Sequence, residues 1–312
     1  MGSRAFTNEE GEAERLALSQ EGLLTVEQAF ELGMTRSAIN SRVASGRWKR
    51  DLPGILRMRS SPVTWNQRAT AAFLWSTRLA LLSAVSHRSA ARLWKLGPLA
   101  DEGNTAIDLC LTSGRKPAHP GLVIHRDPKL DKGDVVRLGT VNVTKVARTL
   151  VDLCSCVNPS VVELCLEDAL RQRITTIKQI ERSFEAVARP GRKGTASLKA
   201  LLQVRGNAAP AESTLEVKVL QLIRHAHLPM PTRQFKVDTG RAAVRRIDLA
   251  YPARRFAVEC DGFAFHSGRA DWEQTLTRNN ELMSMGWRIL HVTWTDLKTP
   301  KKIVAAIEAA LK

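Results

Sequence analysis

Two short stretches near the start of the chain carry apolar residues at helical spacing. The first stretch places Val26 and Ala29 on one face and ends at Gly33. Thr25 stands directly before it, and Gln28 follows three residues later, which is the spacing of a capping box. The pattern therefore predicts a short helix that is capped by its own side chains.

A second helix is predicted from Thr35 to Gly46, with Ile39 on its apolar side. Two short segments around Leu-Pro-Gly follow it and predict a β-hairpin. Helix, short turn, helix and hairpin is the layout of a winged helix-turn-helix. The pattern predicts such a domain over residues 21–60, after a polar N-terminal tail over residues 1–20.

The centre of the chain, residues 61–205, mixes helical and strand-like patterns and predicts a middle α/β domain. Within it, Arg148 and Asp152 stand four residues apart in a predicted helix. This spacing is that of an ion pair on one helix face, worth roughly 0.2–0.5 kcal/mol. A polar, glycine- and proline-containing linker then begins the last domain, residues 206–312.

The last domain alternates helical and strand-like segments, which predicts an α/β fold on a small mixed sheet. Its predicted elements are, in order, a helix (213–225), three strands (234–237, 244–250, 256–260), a helix (270–285), a strand in WRILHVTW and a helix (301–311).

Composition adds a partner class to this picture. The chain of 312 residues is 44% hydrophobic and 25% charged, which is typical of a globular protein. Its net charge of +16 favours a polyanionic partner, most simply nucleic acid. No apolar run approaches the roughly 18 residues of a membrane span, and the N-terminus has no apolar signal core. We therefore expect a cytoplasmic protein without a membrane partner.

Basic and polar side chains gather on the exposed side of the predicted second helix and hairpin. Polar side chains of a recognition helix contact base edges, and flanking Arg and Lys contact phosphates. The alternative is a solvated basic face on a helical hairpin. The predicted nucleic-acid-binding residues are Arg36, Asn40, Arg42, Arg47, Lys49, Arg50 and Arg57.

Three acidic residues interrupt the apolar strands of the last domain. Side chains alternate along a strand, so Glu259 and Asp261 share one face. A hairpin can lay Asp248 of the preceding strand beside them. Gathered carboxylates repel one another unless a cation joins them, and Mg²⁺ prefers such oxygen ligands. Glu216 is a further candidate member on a helix, with Glu212 as the alternative.

Five short motifs follow one another in the last third of the chain: SxLE, RxD with a later proline, ExDG with a later histidine, RxNxL and GWxxL. They begin at Ser213, Arg246, Glu259, Arg278 and Gly286. In this order they resemble the PD-(D/E)xK nuclease superfamily, and most closely its branch related to very-short-patch-repair endonucleases. The resemblance implies a restriction-endonuclease-like α/β/α domain that hydrolyses DNA with Mg²⁺ or Mn²⁺.

The resemblance also implies roles for individual residues. Asp248 and Glu259 would hold the metal ion, and Glu216 would support the cluster. The lysine of the superfamily motif is absent, and Asp261 stands in its place, assisting the metal ion or the water. His266 is then the candidate for a general base, an acid or a phosphate contact. A hydrogen-bonded structural histidine is the alternative.

The front of the chain contains LTVEQAFELGMTRSAINSRVASGRW, PGILRM and SHRSAARLWKLG. These segments resemble the AbiEi-type antitoxin family over residues 20–100, and TKVARTLVDL extends the likeness loosely into the middle domain. The resemblance implies a winged helix that regulates transcription beside a nucleotidyltransferase toxin. A cognate toxin is thus an implied partner in addition to DNA.

Together these patterns predict a multidomain α/β protein that binds DNA and cuts it with the last domain, Arg278 contacting the nucleic acid. The alternative hypothesis is an antitoxin-like transcriptional repressor of a type IV toxin-antitoxin system, with a catalytically inactive nuclease-like tail. One winged helix per chain is also consistent with a homodimer on a palindromic site.

Overall fold

The computed structural model describes residues 8–101, 103, 106–113, 118–188, 191–206, 208–238, 244–261 and 269–312. These residues form twelve α-helices and three β-sheets, which confirms the predicted mixed α/β class. None of the described helices is both long enough and apolar enough to cross a membrane.

The chain divides into two compact units. The first comprises Met1–Lys95, Leu99–Cys156 and Lys178–Thr195, and the second comprises Leu96–Pro98, Val157–Ile177 and Ala196–Lys312. The second unit therefore includes a segment that the sequence pattern assigned to the middle domain.

The first unit begins with a small helical layer on a three-stranded antiparallel sheet of order β1-β3-β2. The capping box is present: Thr25 Oγ1 accepts from the backbone N–H of Gln28, and Gln28 Oε1 accepts from that of Thr25. Thr35 caps the next helix as predicted. The elements are α1 (Asn8–Ser19), β1 (Leu23–Thr25), α2 (Val26–Glu31), α3 (Arg36–Ala44), β2 (Trp48–Leu52) and β3 (Ile55–Met58).

Residues 8–19, which their polarity assigned to a tail, form the helix α1. Ala13 and Ala17 of this helix are fully buried beside Leu24, Ile39 and Trp48. A buried stripe made of alanine is narrow and weakly apolar. Among many acidic neighbours it gives only a weak helical pattern of apolar residues in the sequence.

The rest of the first unit is a five-stranded mixed sheet of order β6-β5-β4-β8-β7, whose core includes the buried face of α4. The strands are β4 (Ser83–Val85), β5 (Ile107–Leu111), β6 (Leu122–Arg126), β7 (Val135–Leu138) and β8 (Val141–Thr144), and the helices are α4 (Trp65–Ser76), α5 (His87–Leu93) and α6 (Val146–Leu153).

Arg148 and Asp152 form a buried network and not the simple helix ion pair that their spacing predicted. The Arg148 side chain is only 1% exposed, and its three nitrogens bind Asp152 at 2.9 Å, Asp134 at 2.7 Å and Asp127 at 2.6 Å. Arg192 adds contacts of 2.7 Å to Asp127 and 2.6 Å to Asp152. A guanidinium that holds three carboxylates away from water matters far more to stability than an exposed pair.

The chain then passes between the units. After α6 it forms α7 (Pro159–Arg171) in the second unit, returns to the first with α8 (Ile177–Val187), and enters the second again with α9 (Thr195–Arg205). Glu167 of α7 is buried and accepts from Arg205 at 3.1 Å and from Arg233 at 2.9 Å. These contacts explain why α7 belongs to the second unit.

The second unit contains a four-stranded sheet of order β12-β11-β10-β9, antiparallel except for the parallel pair β11 and β12. Its remaining elements are α10 (Thr214–His225), β9 (Thr232–Asp238), β10 (Val244–Tyr251), β11 (Phe256–Asp261), α11 (Arg269–Ser284), β12 (Arg288–Thr293) and α12 (Pro300–Leu311).

Both faces of this sheet are covered by helices. Leu249 and Val258 pack in the cluster that includes α10 and α12, whereas Ala257 packs with Leu282 of α11. The alternation predicted for β11 is thus confirmed. Regular alternation in the sequence predicts that Ile247 and Leu249 of β10 share a face, and this prediction is wrong, because Ile247 joins the α11 cluster while Leu249 joins the other. The strand departs from regular alternation at the residue between them.

Candidate functional site

The strand hairpin of the second unit brings Asp248 next to the end of β11. Leu249 pairs with Val258, which places Asp248, the residue before Leu249, near the end of β11 that contains Glu259. The backbone N–H of Cys260 donates to Asp248 Oδ2 at 3.0 Å. The structure therefore places Asp248 beside the Glu259 strand, as the sequence pattern predicted.

Glu216 reaches the same acidic group from α10. Ser213 caps this helix, accepting from the N–H of Glu216 at 3.1 Å. The Glu216 carboxylate is buried and accepts from Gln234 Nε2 at 3.0 Å. Burial, followed by the negative charge of Asp248, raises the pKa of Glu216 to about 7. The alternative candidate, Glu212, pairs on the surface with Arg246 at 2.6 Å.

Gln234 links two of these carboxylates and was missed by sequence reasoning. Its amide Nε2 lies 3.0 Å from Glu216 Oε2 and 3.5 Å from Asp248 Oδ1. Its backbone φ is +50°, in the left-handed region that a side chain rarely adopts inside a strand. A glutamine in a short edge strand carries no sequence signal for such a position.

Glu259 is the most enclosed carboxylate of β11, with 3% of the residue exposed. Its Oε2 forms an ion pair with Nη2 of Arg278 on α11. Its Oε1 is buried without a hydrogen-bond partner among the described residues. Burial raises the pKa of Glu259; Arg278 opposes this shift, and the charges of Asp248 and Asp261 add to it.

Asp261 pairs with a histidine that the sequence analysis did not select. His291 of β12 lies in parallel register with Glu259, and its Nδ1 is 2.7 Å from Asp261 Oδ2. The hydrogen bond to Asp261 raises the pKa of His291, although burial opposes it. His266, the predicted candidate, lies outside the described residues. The sequence signal for His291 was its place in a strand that could pair with β11.

Asp248 and Glu259 offer oxygen atoms of the kind that a hard divalent ion binds. Among the described residues, Glu259 Oε1 is buried without a hydrogen-bond partner, and Asp248 Oδ1 lies 3.5 Å from Gln234 Nε2. Mg²⁺ is often bound by one or two carboxylates together with waters and substrate phosphate. Within the described ranges, no group of three or more His, Cys, Asp or Glu side chains is arranged to hold a metal ion. Asp248 and Glu259 would be the protein ligands of such an ion.

The basic residues of the N-terminal domain divide into two groups. Arg42 is 4% exposed, lies 5.6 Å from the centre of the Trp48 ring and donates to Ala38 O at 3.0 Å. Arg57 is buried and pairs with Asp51 at 2.5 Å. Arg42 and Arg57 are therefore buried, and the prediction that they contact phosphates from the exposed surface does not fit their positions. The exposed members are Arg36, Asn40, Arg47, Lys49 and Arg50.

Asn40 and Arg50 lie together on that exposed surface. Arg50 Nη2 donates to Asn40 Oδ1 at 2.9 Å, so the middle of α3 and strand β2 form one polar surface. Asn side chains can bind base edges, and Arg side chains bind phosphates or guanine. The geometry is compatible with a nucleic-acid-binding surface.

Comparison with known proteins gives relatives but no family. No protein-family model matches the chain. It is similar to the uncharacterized proteins MT2308 and Rv2248 of Mycobacterium tuberculosis, each 27% identical over 143 residues, or 46% of this chain and 51% of the relative. The chain thus matches about half the length of these relatives, and neither of them is described by an activity.

Proposed function

We propose that the protein binds DNA and that its second unit is a Mg²⁺-dependent endonuclease that hydrolyses phosphodiester bonds. The observation that carries this proposal is the position of Asp248, bound to the N–H of Cys260, beside Glu259, whose buried Oε1 has no partner within the described structure. A buried carboxylate oxygen without a partner is costly unless a cation binds it.

The topology of the second unit supports the proposal. A four-stranded mixed sheet lies between α11 on one face and α10 and α12 on the other. This is the layered arrangement that the PD-(D/E)xK resemblance implies. The acidic residues come from neighbouring strands and from one helix, as that family requires.

The N-terminal domain would supply affinity for DNA. The order α1, β1, α2, α3, β2, β3, with β3 central in its sheet, agrees with a winged helix in which α3 is the recognition helix. The exposed residues Arg36, Asn40, Lys49 and Arg50 would then contact DNA. A bound duplex would also account for the charge of +16.

In the proposed mechanism, each side chain has a limited task. Asp248 and Glu259 would hold the ion, and a bound Mg²⁺ would supply Lewis-acid activation of the phosphate and of water. Gln234 donates to Glu216 and orients the carboxylate of Asp248. None of these four side chains supplies the positive charge of the lysine in the PD-(D/E)xK motif.

Asp261 and His291 are the groups nearest to that missing lysine. Asp261 accepts from His291 Nδ1, which fixes the orientation of the ring. Nε2 is then the nitrogen that can exchange a proton, with the amide of Asn279 at 3.3 Å. His291 would thus hold a positive charge near the position where the superfamily has lysine.

A specific observation also favours the second candidate, an antitoxin-like repressor with an inactive nuclease-like tail. The lysine position holds Asp261, and the ion pair of Arg278 with Glu259 occupies one of the proposed metal-binding carboxylates. On this alternative the second unit would contribute structure or DNA affinity without cleavage.

Cleavage of DNA by the purified full chain separates the two candidates. Plasmid and short duplex DNA are incubated with Mg²⁺ or Mn²⁺, using the wild-type protein and the variants Glu259→Gln and Asp248→Asn. The exposed Glu308→Gln is the matched control in the same unit. We expect the control to cut and the two site variants to lose on the order of 100-fold or more in rate.

Two results would count against the enzyme. Wild-type protein that binds DNA but leaves it intact with either metal ion would favour the repressor. Cleavage that survives both Glu259→Gln and Asp248→Asn would mean that the activity arises elsewhere.

A further inference from the structure

Arg278 occupies the carboxylate that the proposed metal ion needs. Its Nη2 contacts Glu259 Oε2, while Glu259 Oε1 is buried without a partner in the described structure. A divalent ion on Oε1 would therefore lie within a few ångströms of a guanidinium. Like charges at such a distance repel strongly in a partly buried site.

Arg278 supplies the counter-charge of the acidic group. Glu216, Asp248, Glu259 and Asp261 all lie at or near one end of the sheet. Glu216 is held by neutral donors, and Asp261 by His291. Glu259 is the carboxylate that a permanently charged side chain binds directly. The Arg278 guanidinium thus supplies, next to Glu259, the positive charge that the proposed metal ion would otherwise supply.

Arg278 is also placed to leave Glu259. Its side chain is 31% exposed, in contrast to the enclosed carboxylate it binds. Its Nε–H is buried with no hydrogen-bond acceptor among the described residues. Arginine uses Nε and Nη2 together to bind two oxygens of one phosphate. A phosphodiester could therefore satisfy both nitrogens, whereas Glu259 satisfies one.

We propose that Arg278 couples the two ligands of the site: without nucleic acid it neutralises Glu259, and a phosphodiester draws it away and frees that carboxylate for the metal ion. Metal ion and DNA then bind cooperatively, and each raises the affinity for the other by the same factor. This inference rests on the proposed nuclease site and concerns its regulation.

The consequence is a site that is poor in metal when DNA is absent. Free protein would bind Mn²⁺ weakly because binding must break the Arg278 pair. Protein on a duplex would bind Mn²⁺ more tightly because the phosphate compensates the guanidinium. Such coupling keeps the metal ion from binding tightly until DNA is bound.

The test measures metal binding and not activity. The full chain is titrated with Mn²⁺, followed by the electron paramagnetic resonance of free Mn²⁺, with and without a short DNA duplex. We expect the duplex to tighten Mn²⁺ binding about tenfold in the wild type. Arg278→Gln should bind Mn²⁺ about tenfold more tightly than the wild type without DNA, and the duplex should tighten that binding less than it does in the wild type.

Three further variants make the result specific. Arg278→Lys keeps a positive charge but not the planar fork, so its Mn²⁺ affinity should lie between the other two. Lys301→Gln removes an exposed charge from the same unit and should behave as the wild type. Arg278→Met replaces Arg278→Gln if circular dichroism shows that the latter has not folded.

The outcomes distinguish the inference from the function beneath it. If Glu259→Gln leaves Mn²⁺ binding unchanged, the metal site itself is wrong. If Glu259→Gln abolishes binding but neither Arg278 substitution nor duplex DNA alters the wild-type affinity, the metal site stands and the coupling through Arg278 is overturned.

Discussion

His291 donates from Nδ1 to Asp261 Oδ2 across 2.7 Å, and the two residues come from neighbouring parallel strands. If the second unit is the nuclease that we propose, Asp261 stands where that family has lysine, and an acid–histidine pair would take the place of a single cation. The ring is positively charged only when protonated, which the carboxylate favours. The pair therefore links the charge of the site to pH.

We expect His291 to titrate above the ordinary histidine value of 6.5 in the folded protein and to return toward it in Asp261→Asn. Because the folded-state pKa is raised, the contribution to stability is present below the unfolded pKa and is lost as pH rises through the folded pKa. Both side chains are 39% exposed, so we expect no more than about 1 kcal/mol. NMR titration of ¹⁵N-labelled histidine measures the pKa of His291 in the wild type and in Asp261→Asn. A pKa of His291 that is the same in both proteins would contradict the pairing.

Glu216 predicts a pH dependence of the same sign, because its pKa is also raised in the folded state. Its pKa rises from 4.5 when unfolded to about 7 when folded, so the folded state keeps the proton longer. Stability should fall as pH rises from about 4.5 to 7, by on the order of 2–3 kcal/mol. Urea unfolding at a series of pH values should show this fall in the wild type and not in Glu216→Gln. Glu212→Gln, on the surface, should retain it.

Gln234 offers a test of backbone strain that separates conformation from hydrogen bonding. Gln234→Ala and Gln234→Gly both remove the amide that donates to Glu216, but only glycine adopts a φ of +50° without a steric cost. The glycine variant should therefore be more stable than the alanine variant by about 1 kcal/mol. Equal unfolding free energies in urea would show that this backbone conformation is not strained.

The sequence was informative about several contacts that are local. The Thr25 capping box, the Thr35 cap and the shared face of Glu259 and Asp261 each follow from spacings of two or three residues. The approach of Asp248 to β11 also followed, because a short turn joins the two strands. Local backbone geometry alone decides such features.

The parts that could not be predicted depend on residues far apart in the chain. His291 meets Asp261 across thirty positions, and Gln234 reaches Glu216 across eighteen. The sequence pattern predicted that Arg42 is exposed, whereas in the structure Trp48 of the following strand packs against it. Each of these requires the register of strands and the packing of helices, which spacing does not supply.

The buried network of Arg148 predicts a large loss of stability on substitution. Arg148→Met leaves Asp127, Asp134 and Asp152 without their shared guanidinium, and we expect a loss of about 3–5 kcal/mol. Arg15→Ala is the matched control, because Arg15 makes an exposed contact of 4.0 Å and should change stability by less than about 1 kcal/mol. Urea unfolding compares them, and similar losses would refute the buried network.

The exposed surface of the N-terminal domain predicts the salt dependence of DNA binding. If Arg36 and Lys49 contact phosphates, the double variant Arg36→Ala/Lys49→Ala should weaken binding at low salt and reduce the slope of log affinity against log salt by about 0.9 for each contact. Fluorescence anisotropy over a range of KCl concentrations measures both quantities.

Lys132→Ala, exposed elsewhere in the same unit, should leave the slope unchanged. Arg42→Met should lower stability rather than the slope, because Arg42 is buried. An unaltered slope in the double variant would mean that α3 and β2 do not face the DNA.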